Sequence, residues 1–205
     1  MKKIFTTFCM LLCLYSFTQA QSRNKNEFGI GIGYNGAYLT SNNSYETTDV
    51  ISGLNVNFSV DHYFSRTWSL KVKAIYDQKG WANGFIVDNN KNITIDGVNF
   101  KLNYITVPVM ANVHFGRTKN WYVDFGPYIG FLTEAHANYQ NYDVSDMVNS
   151  TDGGLAVGIG VKIPLSHSTR FFIEYDGQSG FAHVFKGSSD NAQNVRGSLN
   201  VGLNF

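Results

Sequence analysis

Charged side chains fall at regular spacing among apolar ones. Asp61, Lys71, Lys73, Asp77, Asp124, Lys162, Glu174 and Asp176, with Arg170, alternate with Val, Ile, Phe and Tyr at a period of two, and His114 shares their parity. A face carrying both signs in this way builds ion pairs, and in a confined space each charge needs a partner. A gated ion path or proton relay is the alternative use of such a row. Catalysis would need a base and a nucleophile within hydrogen-bond reach. Glu134, His136, Asp176, Ser179 and His183 are the candidates, but neither H-E-x-x-H nor G-x-S-x-G occurs. No catalytic, cofactor-binding or metal-ligating set is assigned. The run "GIGYNG", Gly31 to Gly36, fits the dinucleotide pattern in letters only. It lies within a strand pattern and leads into a polar loop, where the fingerprint needs a helix.

The elements carrying these residues are strands. From Glu27 onward eight segments alternate apolar and polar residues: "EFGIGIGYNGAYLT", "SGLNVNFSVDHYF", "WSLKVKAIYDQ", "YITVPVMANVHFG", "WYVDFGPYIGFLT", "GGLAVGIGVKIPL", "RFFIEYDGQ" and "RGSLNVGLNF". Phe100, Leu102 and Tyr104 stand on the opposite parity from Ile105 onward. Either a β-bulge near Tyr104 or a strand continuing past an apolar band into a polar zone accounts for this. Short connections ("SRT", "RTKN", "SHST") alternate with four long ones rich in Asn, Asp, Ser, Gly and Tyr. That asymmetry belongs to outer-membrane barrels, and an even strand number puts both ends of the chain at the short-turn, periplasmic side.

Alternation alone does not say which face meets water. The polar face holds rows of glycine (Gly29, Gly31 and Gly33; Gly154, Gly158 and Gly160), which suit a crowded interior better than a solvated surface. On the apolar face Phe28, Trp68, Phe115, Trp121, Phe171 and Phe205 sit beside the short turns, as an interfacial girdle does. Tyr34, Tyr76, Phe131 and Tyr175 are candidates for a second girdle. The expectation is an all-β, eight-stranded antiparallel up-and-down transmembrane barrel in the cell outer membrane, with a lumen filled by its own side chains.

Residues 1–20 read as a signal peptide: Lys2 and Lys3, an apolar run, then Thr18-Gln19-Ala20. Leu12 before Cys13 is not the small residue a lipoprotein signal wants. Residues 21–205 are then the barrel with its four long extracellular loops. Cys9 and Cys13 both fall in the signal, which leaves the barrel without disulfides or thiolate chemistry. Removing the signal takes two of the 16 basic residues and none of the 15 acidic ones, for a net charge of −1. Nothing here implies a nucleic-acid partner. Trp81, Phe85, Tyr139, Tyr142, Phe181 and Phe185 put aromatics in the long connections, where they either pack the loops or recognise a ligand.

The chain resembles the small outer-membrane β-barrel family called porin-like or PorT-like. The likeness rests on "YITVPVMANVHFG" with Pro108, "WYVDFGPYIGFL" with Gly126, Pro127 and Gly130, "GGLAVGIGVKIPL" with Gly158 and Gly160, and the closing Gly202 and Phe205. It runs from Phe28 to Phe205. It implies an eight-stranded barrel and no catalytic set. Phe205, with Leu203 and Val201, resembles the signal read by the barrel-insertion machinery. The implied partners are outer-membrane lipid, that machinery during biogenesis, and a surface ligand or secretion partner. The expected function is non-enzymatic: envelope integrity or surface binding through the loops. The alternatives are an accessory role in protein secretion, as in a PorT-like relative, and an outer-rim hydrolase or acyltransferase.

Overall fold

The computed structural model describes residues 25–40, 48–88, 93–187 and 192–205, so the signal-peptide reading of residues 1–20 lies outside the described residues. The strands are β1 (Asn26–Thr40), β2 (Ile51–Tyr63), β3 (Trp68–Asp88), β4 (Ile93–Phe115), β5 (Trp121–Ala137), β6 (Tyr142–Asp143), β7 (Thr151–Pro164), β8 (Arg170–Gly180) and β9 (Gln193–Asn204). Each long strand pairs antiparallel with the next, and β5 joins both β4 and β7. β9 returns to β1, from Gly29↔Asn204 to Thr40↔Gln193, so the ring closes and no long strand is left as an open edge. The result is an eight-stranded antiparallel up-and-down barrel. The two-residue β6 is an addition that the alternation did not foretell; it docks on β5 through His136↔Asp143 and Ala137↔Tyr142.

The side-chain period of two decides which face is which. Ile32, Leu54 and Tyr175 point outward and are 61%, 67% and 57% exposed, whereas Asn35, Asp77 and Asp124 point inward and are fully buried. Glycines on the inward parity make room for larger neighbours. A Cβ on Gly160 would lie 2.5 Å from the Tyr122 ring, and one on Gly33 would lie 2.8 Å from Ser198 Oγ. The sequence Gly31 to Gly36 is therefore strand throughout, with no helix opening from it.

The three short turns are built from local polar chemistry. Ser65 Oγ accepts hydrogen bonds from the amides of Thr67 and Trp68, at 3.1 and 3.0 Å. Ser166 Oγ does the same for Thr169 at 3.1 Å. The third turn uses left-handed backbone at Gly116 and Lys119. At the far end the strands differ in height. β3 and β4 have 21 and 23 residues, but β8 and β9 only 11 and 12. A tilted strand crosses a bilayer in about 9–11 residues, so β3, β4 and β5 rise above the apolar band. The long loop expected as "KGWANGFIVDNNKNITIDGV" is instead mostly the upper parts of β3 and β4.

The parity change at Tyr104 has a definite cause. Inward positions on β4 run unbroken through Val98, Phe100, Leu102, Tyr104, Thr106 and onward. Alternation is kept, and the composition of the inward face changes from apolar to polar as the strand enters the membrane. A bulge does lie at this level, but on the partner strand. Asn103 faces Glu134 and Tyr104 faces Leu132, so Thr133 is the extra residue, and its hydroxyl donates to Asn103 O at 2.9 Å.

Candidate functional site

Inside the membrane-spanning part the inward residues form a ladder of ion pairs. Nearest the short turns, Glu27 accepts from Arg170 and Lys162, and Lys162 also reaches Asp61 at 2.9 Å. Asp61 is held further by Ser69 Oγ (3.0 Å) and Asn112 Nδ2 (3.1 Å). In the middle Lys71 bridges Asp124 and Glu174, and Lys73 bridges Glu174 and Asp176. The Tyr122 hydroxyl donates to Glu174 at 2.7 Å. Above them Arg196 joins Asp176 to Asp77, and Asn35 Nδ2 donates to Asp77 at 2.7 Å. Lys79 with Asp152, at 2.8 Å, stands at the top, its ammonium 4.6 Å over the Tyr128 ring. In this low-dielectric space such pairs hold only because each charge has a counter-charge or a hydrogen bond.

All eight charged residues of the expected network lie on inward positions and are buried. Arg170 differs: its side chain is 44% exposed, at the rim. The structure adds Glu27, Lys79, Asp152 and Arg196, which sequence reasoning did not place in the lumen. Only their parity relative to neighbouring apolar residues could have shown it: Glu27 and Arg196 open segments read as strand, Lys79 lies in a run read as loop, and Asp152 falls between a loop and a strand. Among Asn57, Ser59, Lys71, Lys73 and Tyr122 a void of about 10 Å³ is left, roughly the room one water centre needs.

A second, apolar cluster covers the lumen at the tall end. It joins Leu39 of β1, Trp81 of β3, Phe100 and Leu102 of β4, Ala135 of β5, Val144 and Val148 from the β5–β7 connection, and Val184 from the β8–β9 connection. Trp81 stacks on Phe100 at 4.6 Å, and Phe185 meets its edge at 5.5 Å. Of the aromatics expected in loops, Trp81 and Phe185 thus pack this cluster, whereas Phe85, Tyr142 and Phe181 are exposed.

The rim residues considered for catalysis are not brought together. Asp176 is buried in the ladder, Ser179 points outward on β8, and Glu134 accepts from Asn103 at 3.3 Å. His183 is exposed in the β8–β9 connection. No hydrogen bond links any two of the five among the described residues. Phe28, Trp68, Phe115, Trp121, Phe171 and Phe205 all lie outward or at the strand ends beside the short turns. Phe205 is joined to Phe28 by two backbone hydrogen bonds (3.1 and 2.8 Å), and Leu203 pairs with Ile30 and Val201 with Ile32.

Comparison with known proteins agrees with this geometry. The sequence pattern of the family described as outer membrane protein beta-barrel domain matches residues 18–186. The chain belongs to that family. It is an outer-membrane β-barrel protein. Among solved structures it is similar to Neisserial surface protein A, at 15% identity and a TM-score of 0.51, over 86% of this chain and 95% of that one. It is also similar to OprG of Pseudomonas aeruginosa, at 11% identity and a TM-score of 0.51, over 90% and 97%. A third likeness is to Ail, the attachment invasion locus protein of Yersinia pestis: 16% identity, a TM-score of 0.44, over 88% and 99%. At such identities the likeness to the first two shows the fold alone. No curated protein matches the chain in sequence.

Proposed function

We propose that this family member is a non-enzymatic barrel with a closed lumen, serving the integrity of the outer membrane or binding at the cell surface through its tall end. The observation that carries this reading is the continuous filling of the interior, with the ion-pair ladder below and the apolar cluster above. Eight strands leave space that side chains fill, and here they do so with charges that satisfy one another. The short turns face the periplasm and the tall end the exterior. The aromatic residues beside the short turns seat the barrel at the interface. Val201, Leu203 and Phe205 present themselves to the insertion machinery during biogenesis. Phe85, Tyr142 and Phe181, exposed at the tall end, supply the apolar part of a binding surface.

Planar-bilayer recording tests the closed lumen: the expected trace is flat, and a stable, large conductance would overturn it. Complementation separates the two roles. A deletion strain sensitive to bile salts or large antibiotics should be rescued by wild type. Rescue by a Phe85→Ser/Tyr142→Ser/Phe181→Ser variant supports the envelope role, and rescue by wild type alone supports surface binding.

A further inference from the structure

The two ends of the barrel carry opposite charge. Around the short-turn end Lys25, Arg66, Arg117 and Lys119 are exposed, and none is in an ion pair among the described residues. The side-chain carboxylates at that end among the described residues are Glu27 and Asp61, both buried and committed inward to Lys162. At the tall end the exposed charges among the described residues are reversed, with Asp49, Asp96, Glu134, Asp143 and Asp146 against Lys101 and Lys186. The cations are also spread round the ring: Lys25 precedes β1, Arg66 lies between β2 and β3, and Arg117 and Lys119 lie between β4 and β5. Each stands within a few residues of an outward or strand-end aromatic, namely Phe28, Trp68, Phe115 or Trp121.

We infer that the short-turn rim is a collar that binds the phosphates of anionic phospholipid headgroups. An indole or phenyl ring at the hydrocarbon boundary with a cation just beyond it matches the order of acyl chain, interface and phosphate along a lipid. A soluble acidic partner would have no use for the rings. A free phosphate ion would need converging donors at one place, whereas these cations are distributed, one or two to a junction, as separate lipids require. Each cation near an anionic surface contributes about a five-fold gain in binding at modest salt, weakening as salt screens it.

Native mass spectrometry of the whole barrel, released from vesicles of mixed phosphatidylglycerol and phosphatidylcholine, tests the collar. The expected result is preferential retention of phosphatidylglycerol. The preference should fall about five-fold for each cation removed in the series Arg66→Gln, Arg117→Gln and Lys119→Asn; Asn is chosen because position 119 has a positive φ. Lys101→Gln/Lys186→Gln, at the opposite end, should leave it unchanged. Heat-modifiable mobility on detergent gels verifies that every variant is folded. Equal retention of the two lipids, or undiminished preference in the triple variant, would overturn the collar. So would displacement of the lipid by millimolar inorganic phosphate, which would mark a site for the free ion.

Discussion

Below the level of Tyr104 the barrel is polar inside and apolar outside, and above it the order is reversed. The lower half buries Lys71, Lys73, Asp124 and Glu174 and exposes Ile30, Val56, Phe125 and Ile159. The upper half buries Trp81, Phe100, Leu102 and Val148, and its outward face carries Asn99, Lys101, Glu134 and His136. Both halves are walled by continuous β4, whose alternation runs on through the crossing. The solvent outside therefore sets the pattern. Lipid rewards apolar residues on the outer wall and leaves the interior to self-satisfied polar groups. Water rewards the opposite. Lys79 and Asp152 stand at the seam, the last ion pair beneath the apolar cluster.

If the lower half is held by its ladder, removing its most connected member has the largest effect. Glu174 accepts from Lys71, Lys73 and Tyr122. Glu174→Ala leaves Lys71 with Asp124 alone and Lys73 with Asp176 alone, and is expected to cost about 3–5 kcal/mol. The urea midpoint of the gel-mobility transition measures this; a loss below about 1 kcal/mol would mean that the ladder is not what holds the lower barrel. In the upper half Trp81→Ala removes the ring stacked between Phe100 and Phe185. The expected cost is about 3 kcal/mol, confined to that half. Limited proteolysis should then cut within residues 138–150 while the gel-mobility shift persists. Loss of the shift would show that the halves do not melt separately.

The seam offers a sharper comparison. Lys79→Met leaves the Asp152 carboxylate with the Tyr128 hydroxyl, 3.2 Å away, and should cost about 2 kcal/mol. Lys79→Met/Asp152→Leu extends the apolar cluster downward and should recover most of that loss. A double variant weaker than the single one would show that the pair belongs to the lower ladder rather than to the boundary.

The same inversion explains what could be read from the sequence. In β1, β2 and β7 strict alternation with glycine on one face made strand, face and closure legible. It failed for upper β3 because Gly80 and Asn83 take positive φ and the β3–β4 register shifts between Trp81 and Phe85. That run reads as a loop although it is strand. Phe100, Leu102 and Tyr104 looked out of phase because the rule for which parity is apolar reverses there. The charged positions embedded in clear alternation, such as Lys71, Lys73 and Glu174, could be placed on the inner face. Lys79 and Asp152 could not, since the first lies in a run that reads as a connection and the second between a connection and a strand; Arg196 opens the last strand pattern on the parity of Ser198 and Asn200, so its face was open to the same reading. Register between distant strands brings Arg196 to Asp77, 119 residues away, and no local pattern carries that information.

The smallest expected effect distinguishes the ends by exposure. Asp143, in β6 at the tall end, accepts the Ser145 amide at 2.8 Å in a turn that stands in water. The Ser145 hydroxyl, and then that amide hydrogen bond, hold its carboxyl below the usual aspartate value. Because the folded-state pKa is depressed, the turn's contribution is present above the unfolded value of about 3.9 and is lost as pH falls through the lower, folded one. The Ser145 amide resonance should therefore titrate at a pH below about 3.9, and Asp143→Asn should abolish the titration while leaving the barrel transition unmoved. A Ser145 midpoint at or above the ordinary aspartate value would mean that the turn is not closed in solution. It would then give β6 no support in docking the β5–β7 connection over the apolar cluster.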